Sequence, residues 1–419
     1  MSSPAPFSPI WHPFTQHALT PEFPTVSRGE GVWLETDKGR LLDAISSWWV
    51  ITHGHRHPKI VAAIKAQADQ LDQVIFANMT HQPAEDVARG LIEIAPRGLS
   101  HVFYSDSGST AVEVALKMAL GFWKNTGRPR TRIIALEHAY HGDTVGTMSA
   151  GARGVFTTAY APLLYDVVRL PFPVPGREQE TLDMLKVAAK DAAALIVEPL
   201  ILGSGGMLVY PPEVLRALAI ICRRNGTLFI ADEVMTGFGR TGTLFACKQA
   251  GVSPDILCLA KGLTGGSLPL AVTLCTPEIF QAHYSEDRSR TFFHSSSFTA
   301  NPIACAAARA NLEIWRDEPV AGRITALGAM QEERLERFRA DSRFINVRRL
   351  GTIAALDLKV ADPGYLAGIG PKLTAFFLDR GILLRPLGNS IYVMPPYGIT
   401  AAELDLVYDA VTAAAAKFV

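Results

Sequence analysis

Several short stretches of this 419-residue chain place a reactive or ligand-binding side chain just after an apolar run. They are Asp106-Ser107-Gly108-Ser109-Thr110, Glu137 to Gly142 with Tyr140 inside it, Glu198-Pro199, Asp232-Glu233 and Lys261-Gly262. Lys261 follows Ile256-Leu257-Cys258-Leu259-Ala260 and precedes a glycine cluster. An ammonium at the end of a buried strand is partly desolvated, which lowers its pKa and lets the free amine attack a carbonyl to form a Schiff base. The alternative is a solvated lysine where the strand emerges. Asp232 and Glu233 close another apolar run, and neighbouring strand side chains face opposite ways. One can therefore face a strand-end site while the other supports a loop. A carboxylate held there favours a protonated pyridine nitrogen, although a solvated acid pair has the same spelling. Asp106 to Thr110 lead from a strand into a helix. Free N–H groups and the positive end of the helix dipole suit a phosphate, and Thr110-x-x-Glu113 has capping-box spacing. An ordinary N-cap is the alternative. Taken together, a phosphate cradle, a strand-end acid and a strand-end amine match pyridoxal 5'-phosphate, with Tyr140 placed to stack on its ring.

These residues need a scaffold that brings strand ends together. Strand-like runs occur at 101–106, 132–137, 193–199, 227–233, 255–261 and 269–275, and the segments 110–125 and 211–224 have helical spacing between some of them. Such alternation predicts an α/β fold with a largely parallel sheet covered on both faces, and ligands bind at the carboxyl ends of such strands. The first ~50 residues read as short strands around an Asp37-Lys38-Gly39 turn. After about residue 315 a charged helix, the short strands "GTIAALDL", "ILLRPLG" and "SIYVMPP", and an Ala-rich helix predict a second, α+β unit.

Composition narrows the function. Lys plus Arg and Asp plus Glu both number 40, so no basic excess favours nucleic acid or an anionic membrane. No apolar stretch approaches the ~20 residues that cross a bilayer, and the N-terminus lacks the basic and apolar regions of a secretory signal. Cys222, Cys247, Cys258, Cys275 and Cys305 lack a C-x-x-C pair and sit mostly in apolar segments, as expected of reduced cysteines in a cytoplasmic protein. Two other motifs are decoys. "GFGRTG" (237–242) has dinucleotide-loop spacing but does not follow its strand directly. His53, His55 and His57 alternate like metal ligands, yet no partner with zinc spacing accompanies them, and a polar turn ending at Pro58 fits better.

In combination, "FIADEVMTGFGRTG" and "PDILCLAKGLTGG" resemble the signature of class III (subgroup II) pyridoxal-phosphate aminotransferases of fold type I, and the likeness spans nearly the whole chain. Within that class, "WHPFTQ", "SSWWV", "DSGSTAVEVALKMAL", "YHGDTVGTMS", "FTANPIACAAA" and "YVMPPY" resemble the biotin-pathway members. The resemblance implies a large domain (56–315) with a mostly parallel seven-stranded sheet between helices. A small α+β domain is implied from residues 316–419, joined by the N-terminal segment 1–55. It implies a homodimer with active sites at the subunit interface, transferring an amino group by a ping-pong mechanism. The implied donor is S-adenosylmethionine and the implied acceptor 8-amino-7-oxononanoate. An ω-amino acid:pyruvate or lysine-donor enzyme is the alternative within the class. Lys261 is then the Schiff-base lysine, Asp232 pairs with the pyridine nitrogen, and Tyr140 and Val234 sandwich the ring. Gly108 and Ser109 hold the phosphate, Ser297 reaches it from the partner subunit, and Glu198 completes the cofactor set. Trp48, Trp49, Asp143 and Tyr392 line the substrate channel together with Ser295. Arg385 takes the acceptor carboxylate, and Arg240 lies near the donor on the Asp143 side. The chain departs from the family at Phe14, where Tyr is usual, and at Ser295-Ser296-Ser297, where Gly-Pro-Thr is frequent.

Overall fold

The computed structural model describes residues 8–20 and 22–419, so the first seven residues of the opening segment and Pro21 lie outside the described residues. A seven-stranded sheet runs in the order His101–Ser105, Ala271–Cys275, Ile256–Leu259, Leu228–Asp232, Ala192–Val197, Arg132–Leu136, Val168–Leu170. Ala271–Cys275 pairs antiparallel with both neighbours, and the remaining neighbours pair parallel. Strand alternation divides the apolar side chains between two cores. Ile133, Ile196, Ile230, Ile256 and Cys258 pack with Val112, Ala115 and Ala119 of the helix Gly108–Asn125. Ile134, Leu195, Phe229, Ala231 and Leu257 pack on the other face with Leu215, Leu218 and Cys222 of the helix Pro212–Asn225. Because both faces are covered, the central strands read as unbroken apolar runs.

A third core joins the two ends of the chain. Leu42, Ile45 and Trp49 pack with Leu327, Phe338, Leu356, Tyr392 and Val411. Gly39–Asp43, last of three short antiparallel strands, takes Ile382–Leu383 as a parallel partner, with Leu42 opposite Ile382. Phe344–Leu350, Ile353–Leu358 and Ser390–Val393 make a separate sheet. The strand expected over "ILLRPLG" therefore reduces to two residues, since Pro386 offers no N–H to a ladder. Phe344–Leu350 was not expected as a strand. Its arginines disguise it, but it is an edge, where charge is tolerated. All five cysteines are free and buried. Among the described residues, no helix is long and apolar enough to cross a membrane.

Candidate active site

The strand ends open into a cavity of about 430 Å³ that Gly108, Ser109, Tyr140, Asp232, Val234 and Lys261 line together. Alternation points Asp232, two residues after Ile230, toward the helix Gly108–Asn125. Glu233 points the other way, where its carboxylate accepts from the N–H groups of Ala246 and Cys247 at 2.7 and 2.8 Å. Adjacent acids thus do different work, as pleating requires.

Asp232 is 4% exposed. Its Oδ2 lies 2.7 Å from His141 Nδ1, and its Oδ1 accepts from Val234 N at 3.2 Å. His141 is itself buried, and its Nε2 has no partner among the described residues. Glu198 bridges two loops: Oε2 accepts from Tyr140 N at 3.0 Å and Oε1 from Gly203 N at 2.9 Å. Burial pushes its pKa up to about 7, His141 opposing and the Asp232 charge assisting. Lys261 has a left-handed backbone, φ 47°, and its Nζ stands 4.7 Å from the centre of the Trp49 ring. Burial lowers its pKa to about 8. The carboxylates of Asp232 and Glu198 pull upward, and the Arg240 cation pushes down. A lysine so placed gives up its proton far more readily than a solvated one.

The anion cradle differs in detail from expectation. The capping box is Ser107 with Thr110, not Thr110 with Glu113: Ser107 Oγ accepts from Thr110 N at 3.2 Å, and Ser107 N donates to Thr110 Oγ1 at 3.0 Å. Ser107 is the extended residue at the helix start, so the box falls three residues earlier. Glu113 is thereby free to accept from Thr144 Oγ1 and Gly146 N, at 2.6 and 2.9 Å, which ties down the loop carrying Asp143. With Thr110 N capped and Ala111 N bonded to Ser107 O, the N–H groups of Gly108 and Ser109 have no acceptor among the described residues. Glycine is required at 108, since a Cβ there would stand 2.6 Å from Val234 Cγ1.

The expected substrate residues are more scattered. Trp49 lines the main cavity. Asp143 lines an adjoining cavity of about 210 Å³ that shares Tyr140 and Gly142 with it. Tyr392 is buried edge-on to Trp49 at 5.9 Å. Arg385 stacks on Trp48 at 4.6 Å and donates to Phe14 O at 3.0 Å. Ser295 and Ser297 are exposed, and Ser297 O accepts from Gln73. Ser296, between them, donates to Asp106 at 2.8 Å. Arg240 is not brought to either cavity. It is 1% exposed and donates to the carbonyls of Trp49, Ile51 and Pro395, which makes it a brace between segments. His53, His55 and His57 each meet a different partner, Asn311, Asp43 and Glu318, and so do not converge. "GFGRTG" forms turns.

Sequence reasoning missed His141. It stands beside Tyr140, but its contact with Asp232 spans 91 positions and no spacing rule encodes it.

Residues 15–415 match the model of the class III aminotransferases, and the chain belongs to that family. It is 46% identical, over 96% of this chain and 97% of the relative, to the adenosylmethionine-8-amino-7-oxononanoate aminotransferase of Synechococcus elongatus. Identity to the enzyme of that name from Aquifex aeolicus is 39%, over 96% and 94% of the two chains. The crystal structure of the Methanocaldococcus jannaschii enzyme of that name superposes with a TM-score of 0.94 at 36% identity, covering 98% of this chain and 97% of that one. An amine transaminase from an uncultivated Pseudomonas species superposes at 0.92 with 34% identity, covering 98% and 99%.

Proposed function

We propose that this aminotransferase binds pyridoxal 5'-phosphate and moves an amino group from S-adenosylmethionine to 8-amino-7-oxononanoate, giving 7,8-diaminononanoate in biotin biosynthesis. The convergence of Lys261, Asp232 and the Gly108-Ser109 cradle on one cavity carries the reading. The fit is chemical at each point. Two free N–H groups at a helix start suit the phosphate. A buried carboxylate suits the ring nitrogen, and an amine with pKa about 8 suits the aldehyde. The names of the relatives from Synechococcus elongatus and Aquifex aeolicus supply the substrates.

When bound, pyridoxal phosphate supplies an electrophilic carbon and an electron-accepting ring. Asp232, oriented by His141, keeps a proton on the ring nitrogen. Lys261, as the neutral amine, would carry the proton from the donor α-carbon to the cofactor carbon that keeps the amino group, and in the second half-reaction from that carbon to the acceptor carbon that gains the amine. Trp49 and Tyr140 wall the cavity and exclude water. Arg385 takes the distal carboxylate of the acceptor and Trp48 flanks its alkyl chain. The donor leaves before the acceptor enters, so the kinetics are ping-pong.

We read the working form as a homodimer, with residues 1–55 and 316–419 as a small domain around 56–315, in the cytoplasm, where free thiols such as the five buried cysteines stay reduced. Exposed Ile75 and Phe298, on segments tied by Gln73 to Ser297 and Asn301 to Asp72, support a covered surface there.

The test is to add S-adenosylmethionine alone to the cofactor-loaded protein and follow its visible absorbance. Bleaching to the pyridoxamine form is expected. A coloured protein indifferent to this donor but bleached by an ω-amine would move the reading to the amine transaminases, whose fold is also close. Failure to develop a visible band with added pyridoxal phosphate would overturn the assignment of Lys261.

A further inference from the structure

The turn that carries the two tryptophans has the wrong hand. Ser46, Ser47, Trp48 and Trp49 all have positive φ, at 54°, 46°, 71° and 75°. Trp49 N donates to Ile45 O at 2.8 Å and Val50 N to Ser46 O at 2.9 Å, so the stretch is one turn of left-handed helix. L-residues visit this conformation singly, and glycine is the residue that adopts it freely. None of the four is glycine. Contacts outside the turn must therefore impose it.

Asp43 is placed to do so. It is 0% exposed, and its carboxylate is filled by the turn. Oδ1 accepts from Ile45 N at 3.3 Å and Ser47 N at 2.9 Å, and Oδ2 accepts from Ser47 Oγ at 2.8 Å. His55 Nε2 holds Oδ2 from behind at 2.9 Å. The His55 backbone is fixed in turn, pairing with Gly31 in both directions at 3.3 and 2.7 Å. Handedness decides where the indoles go. In this turn Trp49 is buried beside Lys261 Nζ, and Trp48, one residue earlier, stands part-exposed against Arg385.

We propose that Asp43, backed by His55, is a positioning residue that imposes the left-handed turn and thereby sets the two indoles in the acceptor channel. The proposal rests on the reading of that channel given above. Asp43→Ala strands several buried donors, so inactivity in that variant would not separate misfolding from misplacement. Ser47 gives the cleaner test. Ser47→Ala and Ser47→Gly lose the same hydroxyl bond to Asp43, but only glycine is at ease with positive φ. With the cofactor band and melting temperature retained, Ser47→Ala is expected to raise KM for 8-amino-7-oxononanoate about tenfold while kcat changes little. Ser47→Gly is expected to stay within about twofold of the parent. Equal impairment in both variants, a worse glycine variant, or no effect in either overturns the proposal. If the parent chain itself fails to turn over this donor and acceptor, the proposed function falls instead. The near-ultraviolet circular dichroism of the tryptophans then decides the turn: a changed alanine spectrum beside an unchanged glycine spectrum supports it, and any other pattern overturns it.

Discussion

The floor of the cavity and its wall are built by different means. The floor consists of Gly108, Ser109, Asp232 and Lys261, each at or just past the end of a strand of one sheet. Its placement follows from pleat and strand order. The wall begins at Trp49, the one of its residues that lines the cavity, and continues outward through Tyr392, edge-on to Trp49, and through Trp48, Arg385 and Phe14, which contact one another in turn; all come from the two ends of the chain. It is fixed by long-range bonds such as Arg385 to Phe14 and by a turn that costs roughly 1–2 kcal/mol for each left-handed residue. The comparison teaches a division of labour. On the proposed function, floor residues are expected to act on the reacting atoms and govern kcat, and wall residues to recognise the parts of substrate that do not react and govern KM.

The largest effect belongs to the floor. Lys261→Ala is expected to keep the fold and lower kcat by more than about 10⁴-fold, since nucleophile and proton carrier are lost together. Single-turnover kinetics on the cofactor-loaded variant measure this, and near-parental rates would remove Lys261 from the mechanism. Asp232→Asn is expected to cost about 10²- to 10³-fold in kcat with little change in either KM.

The floor also has a pH signature. Burial keeps the Lys261 amine neutral above about 8 and charged below. Uptake of pyridoxal phosphate by the cofactor-free protein needs the neutral amine, so its rate is expected to climb as pH rises through about 8 and then level off. Asp232 holds the Lys261 proton on, so Asp232→Asn is expected to move that inflection to lower pH. Stopped-flow absorbance over a pH series reads both, and an upward move would contradict the electrostatic link between acid and amine.

This division explains what could be read beforehand. The sheet, the helix after Ser107, Lys261 and the split between Asp232 and Glu233 were legible, because strand period and helix start are local properties of the chain. The hydrogen bond of His141 to Asp232 was not, since it forms only when two distant strand ends become neighbours. The capping box was misplaced because Thr110 and Glu113 satisfy the same spacing as Ser107 and Thr110. The left-handed turn at Ser46–Trp49 was hidden altogether: nothing in "SSWW" favours positive φ, and the force that imposes it comes from Asp43 and His55. The bonds of Arg240 to three backbone carbonyls were not legible either, since they join segments far apart in the chain.

Among wall residues, Arg385→Met tests the comparison most directly. The guanidinium is held by Trp48 and Phe14 O and is free to take a carboxylate. Its loss is expected to raise KM for 8-amino-7-oxononanoate about a hundredfold and leave kcat within a few-fold. The half-reaction with S-adenosylmethionine alone is expected to be unchanged. A fall in kcat at constant KM would show that wall and floor are not separate.

The smallest effect is expected at Phe14. Its backbone, not its ring, supplies the bond to Arg385, and the ring lies edge-on to Trp48 and Phe156 at 5.8 and 5.7 Å. Phe14→Tyr keeps the backbone bond and both ring contacts. The added hydroxyl emerges from a side chain that is already 43% exposed, where water competes for it. Stability is expected to stay within about 0.5 kcal/mol, and KM for the acceptor to be unaltered because Arg385 has not moved. KM for S-adenosylmethionine is expected to shift by no more than about threefold, the worth of one solvent-exposed hydrogen bond. Initial rates over both substrates measure these quantities. A tenfold or larger fall in donor KM would mean that the wall discriminates the donor at this position.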